Sequence, residues 1–156
     1  MVDPFQTTDR QATVFIFIRT DCPISNRYAP AIQKLDREFG AQGVSFWLVY
    51  VDPRQSLAEV RQNFTSYGYH LHAVLDPKHT LVRLAGAQVT PEASVFSSQG
   101  RLVYHGRIDN SYVDIGQRLP APTENDLELT LNAVLAGRPV PQKTTRAVGC
   151  YISDLE

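Results

Sequence analysis

The residues Ala12-Thr13-Val14-Phe15-Ile16-Phe17-Ile18-Arg19-Thr20-Asp21-Cys22-Pro23-Ile24-Ser25-Asn26, continued by Tyr28, Ile32, Leu35 and Phe39, decide the fold. Residues 12–19 form an apolar run rich in β-branched and aromatic side chains, which reads as a buried strand. From Ser25 or Asn26 to Phe39 the apolar residues recur every three to four positions, which reads as an amphipathic helix stopped by Gly40. Cys22, one of two cysteines in the chain, falls between them. A strand that delivers a cysteine to a helix start puts sulfur where backbone N–H groups and the helix dipole favour an anion. Pro23 suits the first turn, where its missing N–H leaves nothing unpaired. The Ser25 hydroxyl, three residues on, is placed to donate to the sulfur, and Arg19 or Arg27 to add positive charge. Asp21 works against the thiolate. The plainer alternative is a buried structural cysteine.

Outward from this stretch, strands and helices alternate. Gly43 to Val51 reads as a second buried strand, ended by Asp52-Pro53. Ser56 caps a helix to about Tyr67, with Glu59 completing a capping box and Gly68 as the stop. His72 to Leu75 is a short strand closed by Asp76-Pro77, and Lys78 to Leu84 a short helix stopped by Gly86. Val89-Thr90-Pro91 is a break. Glu92–Phe96 and Arg101–Ile108 are strands joined by a turn at Ser97-Ser98-Gln99-Gly100. Asp109 to Pro122 reads as a long loop, and Thr123 as the cap of a last helix to about Ala136. Residues 137–156 are a tail without periodicity. Alternating strands and helices imply parallel pairing through right-handed crossovers, and the closing hairpin adds antiparallel strands. The expected fold class is α/β, with a mixed central sheet and helices on both faces.

The 156 residues suit a single domain over 1–156, with its core at about 12–136. A formal net charge of −1 gives no basic surplus for nucleic acid, and no apolar run has the length of a membrane span. Met1-Val2-Asp3-Pro4 lacks the basic-then-apolar order of a leader. Leu155-Glu156 reads as a cloning remnant, so the expectation is an exported, periplasmic protein whose leader has been removed, with the cytoplasm as the alternative. His70, His72, His79 and His105 form no converging ligand set, and neither a metal nor an organic cofactor is expected.

The order of elements, with Thr20-Asp21-Cys22-Pro23-Ile24-Ser25 after the first strand and Val89-Thr90-Pro91-Glu92-Ala93-Ser94-Val95-Phe96 opening the hairpin, resembles the thioredoxin fold. The closing Gly100-Arg101-Leu102-Val103-Tyr104-His105-Gly106-Arg107 is similar to the last hairpin of its redoxin branch. That branch holds the alkyl hydroperoxide reductase/thiol-specific antioxidant proteins and the periplasmic thiol–disulfide oxidoreductases. The resemblance implies that Cys22 is a nucleophile, and that Pro91 is a cis-proline facing it. It also implies that Thr90 offers backbone hydrogen bonds to a bound chain. Ser25 stands where a Cys-x-x-Cys pair has its second cysteine. Arg19 stands three residues before Cys22, where peroxiredoxins carry threonine. Asn26 stands where the copper-binding relatives carry the second cysteine of Cys-x-x-x-Cys.

With the strands running as in that fold, the last helix leads away from the Cys22 end. Its roughly 14 residues cover about 21 Å, and the dozen or so residues up to Cys150 reach roughly 40 Å when extended. Cys150 can therefore return to Cys22. Three readings follow: a resolving partner that replaces the cysteine missing at Ser25, a permanent staple, or a bystander thiol. Arg107 falls at the same end of the sheet, either to hold a thiolate or incoming oxidant or as half of a solvated Arg–Asp pair. The expected chemistry is thiol–disulfide exchange, with Cys22, Ser25 and Cys150 in the reaction and Thr90, Pro91 and Arg107 shaping the substrate site. The expected partners are a disulfide- or thiol-containing protein or a small oxidant, with an external thiol as reductant. A thiol peroxidase and a non-catalytic module that binds a partner or copper are the alternatives.

Overall fold

Every residue of Ala12–Ile18 (β1) is buried, because this strand lies in the middle of the sheet with a helical layer on each side. The structure is a computed structural model and describes residues 9–153. Met1-Val2-Asp3-Pro4 and Leu155-Glu156 lie outside the described residues. After β1 come α1 (Pro23–Arg27), α2 (Ala29–Gly40), β2 (Val44–Tyr50), α3 (Leu57–Ser66), β3 (His72–Leu75) and α4 (Thr80–Ala85). There follow β4 (Val89–Thr90), β5 (Glu92–Ser97), β6 (Leu102–Gly106), β7 (Tyr112–Asp114) and β8 (Gln117–Arg118). The last elements are α5 (Asp126–Leu135) and β9 (Cys150–Tyr151).

The main sheet has the order β3-β2-β1-β5-β6. β1 pairs parallel with β2, from Ala12↔Val44 to Ile18↔Tyr50, and antiparallel with β5, where Phe17 faces Glu92. β3 is parallel to β2, and β6 antiparallel to β5. The steps β1 to β2 and β2 to β3 run the same way across the sheet, so right-handed crossovers put α2 and α3 on one face. Alternation along β1 then divides the core. Val14, Ile16 and Ile18 pack with Ile32, Leu35 and Phe39 of α2 and with Leu127 and Leu131 of α5. Phe15 and Phe17 pack on the other face with Trp47, Val49, Val82, Ala85 and Ile152.

β1, β2, β3, β5 and the capping box agree with the sequence reading, while Val89-Thr90, read as a break, is the short strand β4, and β6 ends at Gly106 and not at Ile108. The Ser56 hydroxyl accepts from the Glu59 amide, and the Glu59 carboxylate accepts from the Ser56 amide. Four larger features also differ. The first helix pauses at Tyr28 and restarts at Ala29, since Pro30 has no N–H to give the preceding turn and its ring crowds that turn's carbonyl. The long loop contains the small antiparallel pair β7–β8, turned through Gly116 at φ +79. The last helix begins at Asp126, with Asn125 as its N-cap. Thr123 is used elsewhere, because the Asn110 side chain donates to its hydroxyl at 2.7 Å and accepts from its amide at 2.8 Å.

The fourth difference is the tail, which has a defined course. It first runs along the edge of β6, where the His105 amide donates to the Lys143 carbonyl at 3.1 Å and the Thr145 amide to the His105 carbonyl at 3.3 Å. The Thr145 hydroxyl accepts from the Arg107 amide at 3.0 Å and bonds the Tyr104 hydroxyl at 2.6 Å. Gly106 (φ +151) lies so close to Thr145 that a Cβ there would overlap it. Beyond that point the tail ends as β9, antiparallel to β4.

Candidate active site

Residues 19–22 turn the chain off the end of β1. The Cys22 amide donates to the Arg19 carbonyl at 3.4 Å, and Cys22 becomes the N-cap of α1 with Pro23 in the first turn. Cys22 and Cys150 are joined in a disulfide, with their Cα atoms 6.2 Å apart and a sequence separation of 128. Cys22 is buried and Cys150 half-buried. The Thr90–Pro91 peptide is cis. The Thr90 carbonyl lies 3.3 Å from Cys22 Sγ, a place where a free thiol would donate and a disulfide sulfur, which has no proton, only makes contact. The Thr90 hydroxyl donates to the Cys150 carbonyl at 3.4 Å. Gly149 rests directly on the Thr90 carbonyl, with no room for a Cβ.

A buried polar network holds the turn that carries Cys22. Asn26 Nδ2 donates to the Thr20 carbonyl at 3.0 Å, Asn63 Nδ2 donates to Asn26 Oδ1 at 3.2 Å, and the Tyr50 hydroxyl donates to Asn63 Oδ1 at 3.0 Å. Burial pushes the Tyr50 hydroxyl well above the usual phenol range. Gln55 bonds the Thr20 hydroxyl from the loop before α3. Asn26, which stands where copper-binding relatives have cysteine, is thus a structural tie here. No cluster of metal-ligating side chains occurs among the described residues.

The cations near the disulfide are already paired. Arg19 contacts Asp21 at 3.2 Å and Asp52 at 3.0 Å, and its Nη1 donates to the Tyr151 carbonyl at 3.5 Å. It therefore ties the ends of β1 and β2 to the tail and offsets the charge of Asp21. Burial alone would raise the Asp52 carboxyl; hydrogen bonds from Arg54 and the charge of Arg19 outweigh it and hold Asp52 below the usual carboxylate range. Arg27 donates to the Tyr112 hydroxyl at 3.4 Å.

Glu92, directly after Pro91, is buried and forms no ion pair among the described residues. Its carboxylate accepts from the backbone amides of Gln88 and Val89, the first at 2.7 Å. Burial outweighs those bonds and pushes its carboxyl up to about 7. Glu92 thereby braces the loop that leads into β4.

The structure brings Cys22, Cys150, Thr90 and Pro91 together at one end of the sheet. Ser25 is buried in α1, and its hydroxyl has no hydrogen-bond partner among the described residues. Arg107 is held away from this group. Its guanidinium grips Asp126 at 2.6 Å and Glu124 at 2.5 Å, at the start of α5. Of the two readings of that segment, the geometry is that of the Arg–carboxylate pair, because α5 presents acidic residues at the dipole end that favours them. Sequence reasoning missed Glu92 and the Asn26–Asn63–Tyr50 network. The only signal for Glu92 was a charge at the head of an otherwise apolar strand.

Residues 4–105 match the profile of the AhpC/TSA family. Among curated proteins none matches this chain. An uncharacterized conserved protein from Geobacillus kaustophilus is similar in structure, with TM-score 0.81 and 26% identity over 93% of this chain and 78% of that one. A hypothetical protein from Sinorhizobium meliloti is similar at TM-score 0.80 and 25% identity, over 93% of this chain and 80% of that one. A secreted disulfide oxidoreductase from Mycobacterium tuberculosis shares the fold, with TM-score 0.55 and 14% identity over 81% of each chain.

Proposed function

This chain belongs to the AhpC/TSA family, and we propose that it works as a thiol–disulfide oxidoreductase with Cys22 and Cys150 as its redox pair. The observation that carries the reading is the Cys22–Cys150 disulfide, seated beside the Thr90–Pro91 bond. In the reduced protein the Cys22 thiolate attacks one sulfur of a substrate disulfide. A mixed disulfide forms and the other substrate thiolate leaves. The Cys150 thiolate then attacks Cys22 Sγ, releases the second substrate thiolate and restores the internal disulfide. Two electrons have passed to the substrate. The α1 N-terminus stabilises the Cys22 thiolate, and the uncommitted Ser25 hydroxyl is available to donate to it.

An external thiolate reverses the change. It meets the half-buried Cys150 more readily than the buried Cys22, so it attacks Cys150 Sγ and expels Cys22 as the thiolate. A second donor thiolate then frees Cys150, and the donor leaves as its own disulfide. Such a cycle suits an oxidising compartment, and export forms part of the proposal. Osmotic-shock fractions of the source cell, probed for the protein, would test it.

Exchange is favoured over peroxide reduction because Arg19, at the position where peroxiredoxins carry threonine, is committed to Asp21 and Asp52. The test starts from fully reduced protein, given one equivalent of a model disulfide or of hydrogen peroxide, quenched by alkylation and mapped by peptide mass. The expected result is a Cys22–Cys150 bridge that forms faster with the disulfide and is reversed by mild thiol. Cys22→Ser is expected to abolish turnover, and Cys150→Ser to stop it after the mixed disulfide. Full turnover in both variants would sink the redox pair. A faster bridge with peroxide would select the peroxidase. Unchanged thiols with either oxidant would leave a binding module.

A further inference from the structure

Apart from the disulfide and the buried Ile152 side chain, the end of the tail at β9 is held through its backbone. Val89 pairs with Tyr151 and Thr90 with Cys150, the Ile152 amide donates to the Gln88 carbonyl at 2.9 Å, and Arg19 reaches the Tyr151 carbonyl. Any extended chain offers the same backbone groups. What is particular to residues 149–152 is the shape at each position. At 149 there is no space for a Cβ against the Thr90 carbonyl, and φ there is not the left-handed value that would demand glycine for its own sake. Glycine is needed at that position for room. At 151 the side chain is 75% exposed, so that position selects nothing. At 152 the side chain is buried with Phe15, Phe17, Trp47 and Val82.

We propose that β9 is a resident occupant of the substrate edge expected at Thr90, and that this edge selects extended peptides of the pattern Gly-Cys-any-apolar. This rests on the thiol-exchange reading above. When the internal disulfide is reduced the tail leaves, and the backbone groups of Val89 and Thr90 that paired with it are open to another strand. A substrate cysteine bonded to Cys22 occupies the place that Cys150 holds in the oxidised protein, so its neighbours meet the same walls. The preceding residue meets the Thr90 carbonyl, and the residue two positions on meets the apolar cluster. Tail and substrate cannot pair with β4 together. Attack by Cys150 on the mixed disulfide therefore brings β9 back onto the edge and drives the reduced peptide off it, so that one step closes the bridge and releases the product.

The test varies the peptide and leaves the fold alone. Full-length Cys150→Ser protein is mixed with the peptide Val-Gly-Cys-Tyr-Ile-Ser, its cysteine joined to thionitrobenzoate as a disulfide. Cys22 attack is followed by the released yellow thiolate, and the peptide adduct by mass. Two further peptides carry alanine in place of the glycine, or aspartate in place of the isoleucine, and the symmetric small disulfide of the same chromophore serves as the peptide-free reference. The glycine peptide is expected to react about tenfold or more faster than the alanine peptide, the usual scale for one carbon forced against a packed wall. The aspartate peptide is expected to be slowed to a similar degree. Equal rates for the peptides, with the small disulfide still reacting at Cys22, would overturn the inference and leave the exchange function standing. Failure of every disulfide, the small one included, would overturn both.

Discussion

Glu92 is a buried carboxyl that, among the described residues, accepts hydrogen bonds from two backbone amides, and its chemistry shows in the pH dependence of stability. Its folded value is raised by burial to about 7 from an ordinary 4.5, so between those values the folded protein holds a proton that the unfolded chain has released. The stabilisation is fully present below about pH 4.5 and is lost as pH rises through about 7, in total on the order of 3 kcal/mol. Glu92→Gln is expected to flatten this slope, so that variant and wild type are closest in stability near pH 5 and the variant is the more stable near pH 8. Urea midpoints measured across that range would check it, and parallel curves would contradict it. A second expectation concerns the network under Cys22. Asn63→Ala removes the partner of both Asn26 and Tyr50 and is expected to cost about 1–3 kcal/mol, as unpaired buried polar groups do. It also loosens the turn that aims Cys22, so the rate at which Cys22 reacts with a small disulfide is expected to fall with the denaturation midpoint. Neither residue announces itself in the sequence. A polar side chain is read as exposed until the elements that bury it are known, and Asn63 meets Asn26 only because α3 is laid beside α1.

Among the elements, those with a local signal were legible and those held by distant partners were not. β1, β2 and β5 declare themselves as apolar runs, and α3 by its capping box, because the cause lies within a few neighbouring residues. Cys22 and Cys150 stand out as the two cysteines of the chain, and the reach of the tail follows from its length. The route of the tail does not, since its bonds go to β6 and β4, far away in sequence. The pause at Tyr28 was available from Pro30. The placing of Arg107 was not, because it depends on where α5 begins. Thr145 ties the tail to β6 through the Tyr104 hydroxyl and the Arg107 amide. Thr145→Val keeps the shape and removes both bonds, and it leaves the Arg107 N–H without its partner, at about 1–3 kcal/mol. Bridge closure after reduction is expected to slow, with faster amide exchange at position 145 and at Ile152, while attack of Cys22 on a small disulfide keeps its rate. Unchanged closure would show that the tail docks through β4 alone.

For the molecule as a whole, the bridge constrains the unfolded chain. Closing a loop of 128 residues stabilises by about 5 kcal/mol in the chain-entropy account. At roughly 2–4 °C per kcal/mol for a chain of this size, the reduced protein or Cys150→Ser is expected to melt about 10–20 °C below the oxidised wild type. Calorimetry with and without reductant measures the difference, and a shift of a degree or two would mean that the reduced chain is already constrained by other means. Nearly the whole described chain lies inside this loop, and that has a mechanical side. Tension applied outside residues 22 and 150 loads β1, which precedes Cys22, and then passes from one sulfur to the other without entering the chain between them. The oxidised molecule can give up β1 to the line, but the chain between the two sulfurs pays out no slack. Cutting the bond with a thiol while the line is taut transfers the load to the chain between Cys22 and Cys150, which can lengthen by some 430 Å at about 3.4 Å per residue.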